Sequence, residues 1–407
     1  MIKKILKTAL VLLSLIVIAI LGLYFIPPGQ EEIKYNYVTE KPTFNLDSKV
    51  GWYKTTDGLY YQVTWGAKTG LQLNYFDSLR VNLKSFRLSP LSEDNFDTNG
   101  DTNTIEAIFE WSASSSKYFL EFNGKKTRFE AIKQDSLYYN QREVNYYNGD
   151  IKLSGLLLQP YTKKNIAVIF IHGSGLSDRD NFWYMYQADY LARHGITVLL
   201  PDKRGCGKSF GEWHTASFND FAEDAISAIQ FLERDSYISY YKIGVLGLSQ
   251  GGWISHLVAH KSERVDFIID IVSSATTPNE QIKHEIKNDI VNSGVPGFLA
   301  EPLALVFTKR AKSKREIWWE KNGEFDPVLL MQKSKTSTLK ILAENDEMEN
   351  VPVKQSEEAI KKLLETNKDI PLTLKLYQDS GHALFSAETK WIRSDYLEFV
   401  VDWILNL

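Results

Sequence analysis

The residues whose types and spacing could do chemistry are Gly247-Leu248-Ser249-Gln250-Gly251, Asp346 and His382. A serine hydroxyl is almost un-ionised near pH 7, so it attacks a carbonyl only when a base takes its proton. Histidine has the pKa to accept that proton and return it, and a carboxylate can orient the imidazolium without itself becoming protonated. The G-x-S-x-G run closes the apolar segment KIGVLGL and precedes the helix-like segment GWISHLVAHK. In that setting it reads as a nucleophile elbow, a turn too tight for larger side chains that lifts Ser249 to a sheet edge. Asp346 follows 97 residues later and His382 another 36 later, each just beyond a strand-like run. The chemistry is acyl transfer, with Ser249 as nucleophile, His382 as base and Asp346 as the acid. Negative charge developing on the substrate oxygen needs preorganised donors. These are expected from the backbone N–H of Gln250 and from the loop His172-Gly173-Ser174-Gly175, where the Ser174 amide is chosen and Gly175 is the neighbouring alternative.

The elements that must hold these residues begin near residue 142. The Asn148-Gly149 pair marks a hairpin, and short apolar runs at 165–173, 196–205, 242–252, 265–274, 337–346 and 371–382 then alternate with helical spacings such as ASFNDFAEDAISAIQFLERD. Such alternation needs right-handed crossovers and a mainly parallel sheet. Residues from about 277 to 334 interrupt the rhythm as a helical insertion, placed where it would form a lid over the ligand-binding edge. Residues 31–141 read instead as strands separated by turn pairs, among them Asp57-Gly58, Asn99-Gly100 and Asn123-Gly124, as in an antiparallel sandwich or barrel. They contain no metal-ligand spacing and no phosphate loop, and form an accessory domain.

The order Ser, Asp, His and the stretches HGSGLSDRD at 172–180, DYLARHGITVLLPDKRGCGKS at 189–209, GVLGLSQGG at 244–252 and DSGHALF at 379–385 resemble the α/β-hydrolase superfamily, especially bacterial esterases related to the prolyl oligopeptidase and dienelactone hydrolase branches. The resemblance spans nearly all of residues 142–407 and implies a serine hydrolase without a cofactor. One departure bears on the acid. Such families often place G-x-x-D-x-x-V-P after the acid-bearing strand, whereas two extra residues separate Asp346 from Val351-Pro352 here, which leaves Glu347 and Glu349 as runners-up.

The N-terminal 1–30 segment carries a different signal. Residues 8–26 hold no charge in 19 positions, with Lys3, Lys4 and Lys7 before them and Glu31 and Glu32 after. That pattern predicts a transmembrane helix as an uncleaved anchor, a membrane partner, and a single-pass placement with the catalytic domain on the extracytoplasmic side. A cleaved signal peptide, and hence a secreted protein, is the alternative.

The remaining features are bland. The chain has 407 residues, 43% hydrophobic and 24% charged, with a net charge of −4, so it can bury a core and offers no overall positive field for nucleic acid. Its one cysteine, Cys206, excludes an intramolecular disulfide and a cysteine-rich zinc site, and no metal is expected. Gly205-Cys206-Gly207-Lys208-Ser209 lacks the first glycine of a phosphate loop and is better explained as turn chemistry. Asp178, Arg179 and Asp180 are candidates for the mouth of the site, with loop salt bridging an equal reading. Lys309, Arg310, Lys312, Lys314 and Arg315, followed by Trp318 and Trp319, read as a solvated helix face that, if functional, would meet an acidic lipid surface or a substrate carboxylate.

The expectation is an α/β-hydrolase fold with a helical lid, preceded by a transmembrane helix and an all-β accessory domain. It would cleave carboxylic esters through an acyl-serine intermediate and take a small-molecule ester or peptide as substrate. A serine peptidase of prolyl oligopeptidase-like type is the enzyme alternative. A non-catalytic protein binding a surface polymer through its β region is the alternative of a different class.

Overall fold

The computed structural model describes residues 36–37 and 44–407, apart from residues 69, 76–83, 98–105, 116, 124–127, 136–137, 235–241, 387 and 389–390. Alternation of apolar and polar residues closes the first half of the chain on itself. Strands β1 (Gly51–Thr55), β2 (Tyr60–Trp65), β3 (Leu71–Tyr75), β4 (Lys84–Pro90), β5 (Asn95–Asp97), β6 (Glu106–Ser112), β7 (Lys117–Asn123) and β8 (Arg128–Gln134) pair antiparallel in sequence order. The pairing of β8 back to β1, with Trp52 opposite Gln134, shuts the barrel and abolishes its edges. Tyr53, Val63, Leu73, Phe96, Phe109, Leu120 and Phe122 are buried inside. The aromatic residues of this region are therefore largely core.

The second sheet contains β9 (Tyr139–Asn148), β10 (Ile151–Pro160), β11 (Ile166–Ile171), β12 (Thr197–Pro201), β13 (Lys242–Leu248), β14 (Phe267–Ile271), β15 (Ser337–Ala343) and β16 (Leu372–Tyr377), in the spatial order β9-β10-β12-β11-β13-β14-β15-β16. The β9–β10 hairpin turns at Gly149-Asp150, and pairing from β12 through β16 is parallel. The parallel strands read as apolar runs because helices cover both faces. Helices α1 (Phe182–Arg193) and α9 (Ser394–Leu405) bury Met185, Leu191, Leu397 and Val401 against one face. Helices α2 (Phe218–Arg234) and α3 (Gln250–Lys261) bury Phe221, Ala225, Ile229, Ile254 and Val258 against the other. Between β14 and β15 lie α4 (Pro278–Asn292), α5 (Gly297–Lys314), α6 (Glu316–Asn322) and α7 (Pro327–Lys333), and α8 (Val353–Thr366) follows β15. Helix α4 opens with a capping box, Thr277 and Glu280 bonding each other's backbone, and Pro278 in its first turn.

One expectation is corrected. Among the described residues no helix is long and apolar enough to cross a membrane, and residues 8–26, on which the transmembrane helix was placed, lie outside the described residues. The 18-residue α5 carries Glu301, Lys309, Arg310, Lys312 and Lys314 together with Pro302, and each such charge costs about 3 kcal/mol at a bilayer centre. The membrane partner and the single-pass placement rest on that helix and are not supported by the described residues.

Candidate active site

Close packing builds the elbow. A Cβ on Gly247 would lie 2.0 Å from the Gly251 carbonyl oxygen, and one on Gly251 would lie 2.1 Å from the Ile171 carbonyl oxygen. Only glycine fits where β13, α3 and the end of β11 cross. Ser249 between them adopts φ +55°, ψ −122°, a conformation that costs a non-glycine residue about 1–3 kcal/mol and persists only when its surroundings enforce it. They do so through Ser249 N donating to Ile271 O at 2.8 Å and Gly252 N donating to Ser249 O at 2.8 Å.

Register places the other two residues on the same edge. Leu248 pairs with Ile271, Ile271 with Ile341, and Ile341 with Lys375, so β13, β14, β15 and β16 share one rung just before their C-terminal ends. Asp346 lies two strands from the elbow, about 10 Å, on the 3₁₀ turn Glu344–Met348 beyond β15. His382 lies beyond β16. Asp346 is buried, and its Oδ2 is 2.7 Å from His382 Nδ1 while Oδ1 accepts from Asn350 N at 3.1 Å. An ionised carboxylate only accepts, so Nδ1 donates and Nε2 keeps its lone pair. Burial works against the charged ring, yet the Asp346 hydrogen bond and charge, with Glu349 and Glu285 adding, outweigh it and hold the imidazole above its ordinary range.

The two-residue departure after Asp346 is absorbed by the 3₁₀ turn. Glu347 uses its carboxylate to accept from Lys354 N at 2.9 Å near the start of α8, and Glu349 accepts from the backbone N of His382 at 2.9 Å. Asp346 alone of the three bonds the imidazole. The insertion holds this turn from outside: His284 Nε2 and Asn288 Nδ2 lie 2.8 and 2.9 Å from Glu347 O, and Asn292 Nδ2 donates to Met348 O at 3.1 Å.

The loop after β11 meets the elbow. A Cβ on Gly173 would sit 3.4 Å from Ser249 Cβ. The Gly173 amide donates to Tyr184 Oη at 2.8 Å, which leaves Ser174, exposed beside it, as the next amide along the loop. Gln250 is buried at the start of α3. His172 is buried with Nε2 2.6 Å from Pro201 O and Nδ1 2.9 Å from Ser177 Oγ, and burial above all pushes its pKa down to about 4, so it stays neutral and shapes the loop.

Asp178, Arg179 and Asp180 do not line the mouth. Arg179 is buried and grips Asp202 with two side-chain bonds of 2.9 and 2.7 Å, and bonds Glu143 as well. Asp180 accepts from the Ala67 and Lys68 amides at 2.7 and 3.2 Å, and Lys68 pairs with Asp178 at 3.1 Å, so these carboxylates hold the barrel's β2–β3 connection. Cys206 is buried, and burial first of all pushes its thiol up to about 11. Trp318 packs on Phe218 in the core, while Arg315 lies over Trp213 and Trp318 and Lys312 over Trp319. A cavity of about 540 Å³ opens among Ile282, Ile286, Phe307, Arg310 and Trp319 of the insertion. Sequence reasoning passed over Tyr184, Trp183, whose Nε1 donates to Ala383 O at 3.1 Å beside His382, and Lys203. Their spacing carries no motif, and the apolar run before Lys203 marks only the strand.

Comparison with known proteins agrees with this architecture. The family described as serine aminopeptidase, S33, matches residues 162–311. Dipeptidyl-peptidase 5 of Porphyromonas endodontalis is 27% identical over 139 residues, 32% of this chain and 20% of that protein. The dual function macrocyclase-peptidase POPB of Amanita bisporigera is 30% identical over 79 residues, 18% of this chain and 11% of that protein. The chain thus spans a fifth or less of the length of these two curated relatives. Among solved structures, the acylaminoacyl peptidase of Pyrococcus horikoshii superposes with a TM-score of 0.51 at 12% identity, over 86% of this chain and 55% of that one, a likeness of fold. The Pyrococcus furiosus esterase Pf2001 gives 0.48 at 17% identity over 66% of this chain and 90% of that one. The parallel sheet and the glycine-crossed elbow, with the family match over residues 162–311, place the chain among proteins of the α/β-hydrolase fold.

Proposed function

We propose that the protein hydrolyses carboxylic esters through an acyl-Ser249 intermediate. The observation that carries this reading is the 2.7 Å contact between His382 Nδ1 and the buried Asp346, on the sheet edge that also bears the Ser249 elbow. Ser249 Oγ attacks the ester carbonyl carbon as its proton passes to His382 Nε2. The amides of Gln250 and Ser174 stabilise the oxyanion, and Asp346 stabilises the imidazolium. The tetrahedral intermediate then collapses, the C–O bond breaks, and His382 returns the proton to the leaving alkoxide. Water, activated by the same base, attacks the acyl-enzyme and releases the acid.

An ester is favoured over an amide because an alcohol departs more readily than an amine and needs less positioning. The peptidase reading draws support from the peptidases among the relatives. Turnover of short-chain p-nitrophenyl esters beside dipeptide amides separates the two, and faster amide turnover would reverse the order. A fluorophosphonate probe tests the enzyme reading itself: labelling of the wild type and none of Ser249→Ala is expected, whereas unlabelled folded wild type would favour the polymer-binding alternative.

A further inference from the structure

Lys203 is buried, 6% exposed, directly behind the loop that carries Ser174. Its Nζ donates to the carbonyl oxygens of Gly173 at 2.8 Å and Gly175 at 3.1 Å. The ammonium lies 4.7 Å from the centre of the Phe221 ring and 5.8 Å from that of Trp213. The charged or titratable groups facing it are the Cys206 thiol, Arg315 of the α5–α6 junction, and the His172 imidazole, which also feels the Asp178 and Asp202 carboxylates. Its bonds go to backbone carbonyls rather than to a carboxylate. Burying an ammonium without a counter-ion costs several kcal/mol, and an apolar side chain of the same length would fill the space without that cost. Mere packing does not account for the residue.

Peptide geometry does. The Gly173 carbonyl and the Ser174 N–H belong to one trans peptide plane and point in opposite directions. A donor pulling on Gly173 O therefore turns the Ser174 N–H away from Lys203. The same peptide unit is polarised by a charge-assisted bond at its oxygen, which strengthens its N–H as a donor. With the neighbouring Gly173 amide committed to Tyr184, the loop has a fixed face and a presented one.

We propose that Lys203, in its charged form, is the positioning residue of the oxyanion site, orienting and polarising the Gly173–Ser174 peptide so that the Ser174 amide stabilises the tetrahedral intermediate. This inference rests on the acyl-serine reading above. It acts through the backbone and touches no reacting atom, so its effect belongs in the transition state and appears in kcat more than in KM. The charge also has a working limit. Burial, the largest influence, with Arg315 adding, lowers the Lys203 pKa to about 8. The charged form is present below that pH and lost above it, so kcat acquires an alkaline limb near pH 8 that does not belong to His382. Cys206, held near 11, does not titrate in that range.

The test compares wild type, Lys203→Met and Arg315→Gln as full chains, with kcat and KM for p-nitrophenyl butyrate followed across pH and fluorophosphonate labelling of each. Lys203→Met is expected to lower kcat by about 10- to 100-fold, less than direct loss of an oxyanion donor, with KM little changed. The alkaline limb should vanish with it. Arg315→Gln removes a repelling charge and should move the limb to higher pH without touching the loop, so it decides the matter if Lys203→Met fails to fold. A folded Lys203→Met that keeps wild-type kcat and its alkaline limb, or a limb unmoved in Arg315→Gln, overturns the proposal. A wild type that neither labels nor turns over ester overturns the acyl-serine reading instead.

Discussion

The two sheets bury different kinds of polar group. On the barrel's outer face, opposite the interior Val63, Leu71 and Leu73, the buried side chains of β2 and β3 are neutral: Gln62, Thr64, Gln72 and Asn74. They form a relay in which Asn74 donates to Gln62, Gln62 to Tyr139, and Gln72 to the Asp180 carbonyl, so this polar outer face of the barrel points at the second sheet. The second sheet buries ions. Arg179 and Asp202 lie beneath the loop after β11, Lys340 bridges Asp270 and Ser273 behind α3 with His256 on the same carboxylate, and Asp346 bonds His382. A buried ion pair costs desolvation and often stabilises less than an apolar substitute of equal volume. Ions kept beneath the loop, the elbow and the base therefore mark where the chain is fixed in position, whereas the amides of the barrel mark where it is joined.

The largest expected effect breaks the site itself. Ser249→Ala and His382→Ala should each lower kcat by about 10⁴-fold or more without changing the unfolding temperature, and the double variant should add little because the residues act as one unit. Multiplicative losses would show that the two work separately. Next comes the acid. Asp346→Asn keeps volume and burial but makes the second side chain a donor as well as an acceptor, which favours the wrong imidazole tautomer, a change that costs about 10⁴ in kcat in a comparable triad. Glu347→Gln and Glu349→Gln should retain most activity, since one serves the α8 start and the other a backbone amide. Collapse of either with Asp346→Asn intact would move the acid.

A third change sharpens the contrast between ions and amides. Lys340→Met leaves Asp270 buried with only His256 and Ser273 as partners, and removing one member of a buried pair costs about 3–5 kcal/mol. Gln72→Leu in the barrel removes neutral bonds worth about 1–2 kcal/mol. Thermal or denaturant unfolding of both variants measures the difference, and equal losses would erase the distinction drawn between the two sheets.

What was legible in the sequence follows the same division. The elbow could be read because its requirement is local: Gly247 and Gly251 flank Ser249 within five residues. The alternating strands of the barrel were local too, but its closure pairs Trp52 with Gln134, and no periodicity says which strands meet at the seam. The use of Asp180 to hold Ala67 and Lys68 spans 113 and 112 residues and leaves no trace in spacing. The charge-free run at 8–26 was legible as composition, but it lies outside the described residues, among which no helix is long and apolar enough to cross a membrane.

The smallest effect is electrostatic and tests how far the insertion reaches into the site. Glu285 on α4 is among the carboxylates that raise the His382 pKa, after Asp346 and Glu349. Its own carboxyl is held above the ordinary range by partial burial first, then by Asp289, with Asp346 adding. The proposed acyl-serine mechanism requires His382 neutral, so kcat/KM should rise as pH climbs through the imidazole pKa of the free enzyme, and that limb lies above the ordinary histidine value. Glu285→Gln removes one attraction for the protonated ring, so the ring should lose its proton at lower pH and the limb should move down. The plateau should hardly change, because the substitution leaves the Asp346 bond in place. The pH dependence of kcat/KM for one ester in the two proteins reads this directly. A limb that stays fixed, or moves up, would mean that the insertion does not shape the electrostatics of the base.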